Sequence, residues 1–139
     1  MPDFAPGSED LARSVERLAD RLRTLADTRL SRPPRGDRDA YEADGASVAD
    51  RAHRLAQSLA DAEQGIVERA ADQAPRWRTV PRLGDLAVGD QVAVTGADLA
   101  AAGAGLSPDE PVWTRTGRAA ASAVLARALA DVRELAGLV

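Results

Sequence analysis

Two tryptophans stand close to arginines, and no other residues in the chain point as directly to ligand binding. One tryptophan lies between two arginines in a proline-flanked segment, and two arginines follow the other within five positions. An indole can stack on a planar group or a cation while a guanidinium binds an anion. A small anionic molecule is therefore the ligand that these loops indicate. The candidate ligand or partner contacts are Arg76, Trp77, Arg78, Arg82, Trp113, Arg115 and Arg118.

A structural role is the alternative for both tryptophans, and the sequence favours it. Trp77 would close one end of a helical bundle, and Trp113 would anchor a loop at the opposite end, near the arginines of 32–38. The chain has a formal net charge of −4 and a sequence pI of about 5.0. That acidic balance makes nucleic acid an unfavourable partner.

His53 is the single histidine, so any triad or conventional zinc site would have to use it. The run 52–58, Ala-His-Arg-Leu-Ala-Gln-Ser, resembles the active helix of histidine phosphotransfer domains, which are four-helix bundles. In that family a lysine-glycine pair stands at the positions of Ala56 and Gln57. The resemblance implies that His53 accepts a phosphoryl group. Helical spacing instead places His53 on the flank or solvent side of its helix, as a surface residue without function, and predicts that His53→Ala changes stability by at most about 0.5 kcal/mol.

Composition excludes several kinds of chemistry. Without cysteine the chain has neither disulfides nor thiolates, and without lysine it has neither a Schiff base nor a Walker phosphate loop. The carboxylates fall on the polar faces of predicted helices, and no pair of them is marked as a catalytic acid and base. We therefore expect no catalytic residue, no metal, no cofactor and no enzymatic activity.

The source and location follow from residue usage. All 18 basic residues are arginine, and both lysine and asparagine are absent. This residue usage is expected of a protein from a GC-rich bacterial genome. The N-terminal residues show no basic region followed by an apolar run, and no uninterrupted apolar stretch reaches about 18 residues. The sequence therefore predicts a cytoplasmic protein with no membrane contact.

Apolar stripes with spacings of three and four predict three of the helices that position these candidates. The predicted helices cover 8–31, 47–74 and 116–138. Ser8 would cap the first, Ser47 with Asp50 the second, and Thr114 or Thr116 the last. The first stripe is Leu11, Val15, Leu18, Leu22 and Leu25. The second is Val48, Ala52, Leu55, Leu59, Ala62 and Ile66. The last is Ala121, Leu125, Ala128, Val132 and Leu135.

Residues 85–104 allow two interpretations. Alternating apolar residues with Gly89 and Asp90 as a turn would form a strand hairpin, whereas a helical stripe runs through Val88, Val92 and Leu99. A lone hairpin has no further strand to pair with, and isolated hairpins are marginally stable. Helix is therefore the favoured prediction. The whole chain, 1–139, is predicted to be a single all-α domain, a four-helix bundle in up-down-up-down order that begins with a long helical hairpin.

Association is the function that this composition favours. Hydrophobic residues make up 45% of the chain, but nearly half of them are alanine, which buries little area. A homodimer or a helical protein partner would add burial through the leucine line of the first helix. The sequence thus predicts a small non-enzymatic interaction or self-association module. The alternatives are phosphotransfer at His53 and binding of a small anion at the Trp/Arg loops.

Overall fold

The structure is a computed structural model that describes residues 7–34 and 45–139. The described chain is mostly helical, as predicted, and it adds a small antiparallel sheet that the sequence patterns do not predict. In chain order the elements are α1 (Ser8–Thr24), α2 (Asp27–Leu30), α3 (Val48–Val67), a 3₁₀ turn (Asp85–Ala87), α4 (Val88–Gly103), β1 (Pro111–Thr114), β2 (Gly117–Ala120) and α5 (Ala121–Ala136).

The apolar stripes form the core, which confirms the faces assigned to the helices. Side chains of all four long helices meet in one cluster that also takes in Leu30 from α2 and Val112 from β1. The capping pair predicted for α3 is present, since Ser47 and Asp50 exchange side-chain-to-backbone hydrogen bonds of 3.0 and 3.2 Å. Leu11, Leu18 and Leu22 are buried inside this core. The predicted leucine line is therefore used within the chain and is not available to a partner.

The first and second predicted helices are too long. The predicted helix 8–31 stops at Thr24, whose hydroxyl donates to the carbonyl of Arg21 (2.8 Å), and α2 then carries Leu30 into the core. The predicted helix 47–74 stops at Val67. Residues 68–74 are needed for a turn that brings the chain back along α3, so a longer α3 would carry the following segment away from its partners.

The third helix is confirmed over Val88–Gly103, preceded by the 3₁₀ turn, and the strand alternative for this region is wrong. The predicted loop before the last helix is instead β1 and β2, paired with Val112 opposite Ala119. Residues 115–116 make the turn between them, and Gly117, the first residue of β2, has φ +130°, a value that favours glycine. The last helix consequently begins at Ala121, not at 116, and neither Thr114 nor Thr116 caps it.

The directions of the helices differ from the predicted up-down-up-down order. Ser8 Oγ donates to the carbonyl of Ala100 (2.7 Å) and Arg23 pairs with Asp90 (2.8 Å), so α1 and α4 are antiparallel. The starts of α3 and α4 are joined by Arg82, so these two helices run in the same direction. The principal helix contacts of α1 are with α4 and α5. The predicted hairpin of the first two long helices is therefore wrong.

Gly96 explains why α1 packs on α4. A Cβ at this position would overlap the methyl groups of Val15. Without it the two helix backbones approach closely, and small residues commonly mediate such close contacts between helices.

Within residues 7–34 and 45–139, no helix has both the length and the apolar character needed to cross a membrane. The cytoplasmic location stays a prediction.

Candidate binding groove

A polar stripe on α3 holds the segment that follows it. We call residues 75–82 the return segment, because it runs back along α3 from the end of that helix to its start. The side-chain amide of Gln64 donates to the carbonyl of Arg76 (2.8 Å) and accepts from the amide of Arg78 (3.0 Å). The amide of Gln57 does the same with the carbonyl of Arg78 (2.9 Å) and the amide of Val80 (2.8 Å). Alternate residues thus direct their backbone groups at the helix, as in a β-strand beside its neighbour.

His53 continues this ladder and is not the exposed, unengaged residue predicted from its helical position. Its side chain is half-buried, and its Nε2 lies 3.0 Å from the carbonyl oxygen of Val80. A carbonyl only accepts hydrogen bonds, so Nε2 carries the proton and donates it. This hydrogen bond gives His53 a positioning role in the ladder, and the small stability effect predicted for His53→Ala no longer follows.

The hairpin docks on the other end of α3. A Cβ at Gly65 would overlap the carbonyl oxygen of Trp113, so the glycine admits the backbone of β1 against the helix. Trp113 then donates from its indole Nε1 to the carbonyl of Ala71 (3.1 Å). Arg118 lies over the Trp113 ring at 4.0 Å and donates to the carbonyls of Arg69 and Ala71, both at 2.8 Å. These contacts supply donors to carbonyls in the turn that follows α3.

The return segment and the hairpin bring both tryptophans to one groove, which corrects the prediction that they lie at opposite ends. The tryptophan groove, as we call it, has a volume of about 480 Å³ and is bounded by α3, α5, the return segment and the hairpin turn. Ala62, Val124 and the fully buried Leu59 line the groove together with the two half-buried indoles. Pockets of this size and mostly apolar lining are typical small-molecule sites.

Arg115 places a guanidinium directly beside this aromatic surface. It lies 5.4 Å from the centroid of the Trp77 ring and makes a two-pronged ion pair with Asp61, at 2.6 and 3.1 Å. The hydrogen bond with Asp61 raises the pKa of Arg115 above its ordinary value. Asp61 is itself mostly buried and also accepts from the amide of Gln57 (2.9 Å). The charge of Arg115 is thus already balanced at the groove.

The remaining candidates serve other ends. The side chains of Arg76 and Arg78 are exposed, and neither lines the tryptophan groove. Arg82 bridges Asp50 (3.0 Å) and Asp85 (3.1 Å) and donates to the carbonyl of Ala49 (3.1 Å), which fastens the end of the return segment to α3. Of the seven predicted contacts, three line the groove and Arg118 supports one of them from behind.

Several groove residues carry no sequence signal of their own. Asp61 lies on α3, and Arg127 and Asp131 form a 3.4 Å ion pair on α5. Ser58 and Thr114 add hydroxyls to the lining. On a helical stripe these residues look like ordinary exposed polar positions. Their role depends on the hairpin and the return segment lying against α3 and α5.

In the described part of the chain, no group of three or more His, Asp or Glu side chains is arranged to hold a metal ion. Comparison of the chain with protein-family models, with curated proteins and with solved structures found no match.

Proposed function

We propose that this protein is a non-enzymatic binding protein and that the tryptophan groove takes a small amphipathic molecule with a planar apolar part. The observation that carries the proposal is the convergence of both tryptophans of the chain on one groove, with Arg115 stacked on the first of them. Aromatic faces around an aliphatic floor favour a flat apolar group, and the hydroxyls at the rim can bind a polar substituent.

Charge balance favours a neutral ligand over the anion that the sequence indicates. Asp61 neutralises Arg115, and Asp131 pairs with Arg127, so the groove lining carries equal numbers of acidic and basic side chains. An anion would have to compete with carboxylates that are already in place. A neutral group carries no such cost.

The same pairing argues for binding over catalysis. A catalytic carboxylate or nucleophile needs a free lone pair or an adjacent base directed at the substrate. The carboxylates of this groove are each engaged by an arginine, and Asp61 also accepts from Gln57. The hydrogen bond of His53 Nε2 to the Val80 carbonyl likewise disfavours phosphotransfer, because one of the two ring nitrogens is already engaged by the return segment.

We infer that the scaffold for this site is a four-helix bundle with its second and third long helices parallel. This inference is supported by the pairwise packing of α1 on α4, α4 on α3, α3 on α5 and α5 on α1. Ligand sites in bundles lie between helices, and this groove lies between α3 and α5.

The test uses a matched pair of probes, benzyl alcohol and benzoate, which differ mainly in charge. We expect benzyl alcohol to change the tryptophan fluorescence saturably and to bind more tightly than benzoate. Ala123 lines the groove from an exposed position of α5, and Ala126 lies nearby on the same helix outside the groove. Ala123→Phe should fill the groove and weaken benzyl alcohol binding at least five-fold.

The control is Ala126→Phe, which adds the same ring elsewhere on α5 and should bind within two-fold of the parent. Equal affinity of the two variants would place the binding outside the groove. Tighter binding of benzoate than of benzyl alcohol would contradict the neutral-ligand proposal.

A second candidate function is association with a helical partner through the outer face of α4. Leu86 and Val94 are 66% and 60% exposed on or next to this helix, and Leu83 is 51% exposed just before it. No basic residue occurs between 83 and 114, so a partner helix with basic flanks would fit this face better than a second acidic copy would. Sedimentation with a basic amphipathic peptide tests this, and Val94→Glu should abolish a complex. Self-association of the chain alone that survives Val94→Glu would contradict it.

A further inference from the structure

A second groove, between α1 and α5, has a different character from the tryptophan groove. We call it the arginine groove. Its volume is about 330 Å³. Buried Leu18 and Val132 form part of its floor, and the rest of its lining is Asp10, Arg13, Ser14, Arg17, Arg21, Arg133 and Ala136. Among the described residues that line it, four arginines and one aspartate give a formal charge of +3, on a chain whose formal net charge is −4.

Three of these arginines have no acidic partner in the described residues. Arg13 pairs with Asp10 at 2.6 Å. Across residues 7–34 and 45–139, Arg17, Arg21 and Arg133 make no ion pair within 4.0 Å and no side-chain hydrogen bond. Of the acids close in sequence, Asp20 and Asp131 are engaged by Arg23 and Arg127, and in the described residues Glu16 and Glu134 form no ion pair with Arg17, Arg21 or Arg133. The positive charge of the groove is therefore not neutralised from within.

Helix stability accounts for only part of this arrangement. Arg13, Arg17 and Arg21 follow one another at intervals of four, which places like charges on neighbouring turns of α1 and disfavours the helix. The helix macrodipole favours a cation only in the last turn of α1, where Arg21 lies. It likewise favours Arg133 in the last turn of α5, so only Arg17 is left without a reason from the macrodipole. A ligand that bears negative charge would reduce the repulsion among Arg17, Arg21 and Arg133.

We propose that the arginine groove binds a small molecule that carries two linked phosphate groups. Arg17 and Arg21 are about 6 Å apart along the helix axis, a spacing that exceeds one phosphate and suits two phosphates in a chain. Guanidinium groups bind phosphate oxygens in bidentate fashion, and Arg133 closes the groove from α5. The Ser14 hydroxyl lies in the same lining and can donate a further hydrogen bond. This site is separate from the tryptophan groove, and neither proposal depends on the other.

The experiment is isothermal titration of the full chain with inorganic pyrophosphate and orthophosphate at low and at high salt. We expect pyrophosphate to bind at least ten-fold more tightly than orthophosphate, with affinity that falls as salt screens the arginines. Arg17→Gln, Arg21→Gln and Arg133→Gln should each weaken pyrophosphate binding at least five-fold. Circular dichroism checks that these surface variants remain folded.

The matched control is Arg76→Gln, which removes one exposed positive charge outside the groove and should bind within two-fold of the parent. Equal affinity for orthophosphate and pyrophosphate, or equal losses in the groove variants and in Arg76→Gln, would overturn the proposal. An ADP titration distinguishes the sources of the diphosphate. If ADP binds as tightly as pyrophosphate, the groove recognises the phosphates alone. If ADP binds more tightly, the ligand is a nucleotide. Both outcomes support the site.

Discussion

At the scale of single residues, side chains that look solvent-facing on a helical projection carry the contacts that define the site. His53, Gln57 and Gln64 lie on one polar stripe of α3, and each bonds to the backbone of the return segment. Helical spacing places these three residues on one face, but it does not predict their partner, because the return segment reaches α3 only after the chain turns at 68–74. Replacing His53 by alanine would leave the carbonyl of Val80 without this donor. We therefore expect the free energy of unfolding to fall by about 0.5–1.5 kcal/mol.

Gln64 is the most buried member of the ladder, with 4% of its surface exposed. Gln64→Ala leaves the carbonyl of Arg76 without its donor and the amide of Arg78 without its acceptor. We therefore expect the free energy of unfolding to fall by about 1–3 kcal/mol. Urea denaturation measures this change. Gln73→Ala is the control at an exposed position and should stay within about 0.5 kcal/mol of the parent. Equal effects of the two substitutions would contradict the role of the ladder.

Glu63 gives a prediction for pH dependence. Burial raises the pKa of its carboxyl above the ordinary value of 4.5, and the negative charge of Asp98 adds to this, against an opposing effect of Arg78. The folded chain therefore holds this proton more tightly than the unfolded chain, so the free energy of unfolding falls as pH rises from about 4.5 through the raised pKa. Glu63→Gln has no proton to lose and should abolish this part of the fall.

Urea denaturation of the parent and Glu63→Gln across this pH range checks the prediction. Asp50 does not interfere, since hydrogen bonds from Ser47 lower its pKa and its contribution is lost only on acidification below the ordinary value of 3.8. Glu134→Gln makes the same chemical change at an exposed position of α5 and serves as the control. Parallel stability profiles for the parent and Glu63→Gln would argue against a partly buried Glu63 that retains its proton.

At the scale of elements, periodicity predicts which faces are buried better than it predicts where an element ends. The apolar stripes of α1, α3 and α5 are in the core, yet the ends of all three predicted helices differ from the structure. The errors have local causes that a stripe does not record. Val112, Trp113 and Thr114 are β-formers ahead of a turn at Gly117, and that signal indicates the hairpin. Gly65 and Gly96 weaken a helix in isolation but permit close contacts with the hairpin and with α1.

The contact between α1 and α4 can be tested with a double-mutant cycle. Gly96→Ala places a methyl group against Val15, so we expect a loss of about 1–3 kcal/mol from overpacking. Val15→Ala removes the obstructing methyls and costs core burial by itself. The loss of unfolding free energy in the double variant should be smaller than the sum of the two single losses by at least about 0.5 kcal/mol. Strictly additive losses in urea denaturation would mean that the two positions are not in contact.

At the scale of the whole molecule, the topology decides which candidates meet. Up-down-up-down order would place the two tryptophans at opposite ends, whereas the return segment carries the chain back along α3 and makes α3 and α4 parallel. Trp77 lies near the end of α3 in either arrangement, and the parallel α4 brings Trp113 to that same end. Composition and stripes predict a mostly helical chain and several of the contact residues. They cannot predict the groove, because it depends on hydrogen bonds between side chains and a distant backbone segment.

The most direct test of a shared tryptophan groove is an NMR titration of the full chain with benzyl alcohol, observed at the indole Nε1–H signals. The chain has two tryptophans, so two such signals report on the groove. We predict that both signals shift, saturate and give the same Kd, and that signals from α4 do not move. If only one indole signal shifted, or if the two gave different Kd values, the tryptophans would not share one binding site.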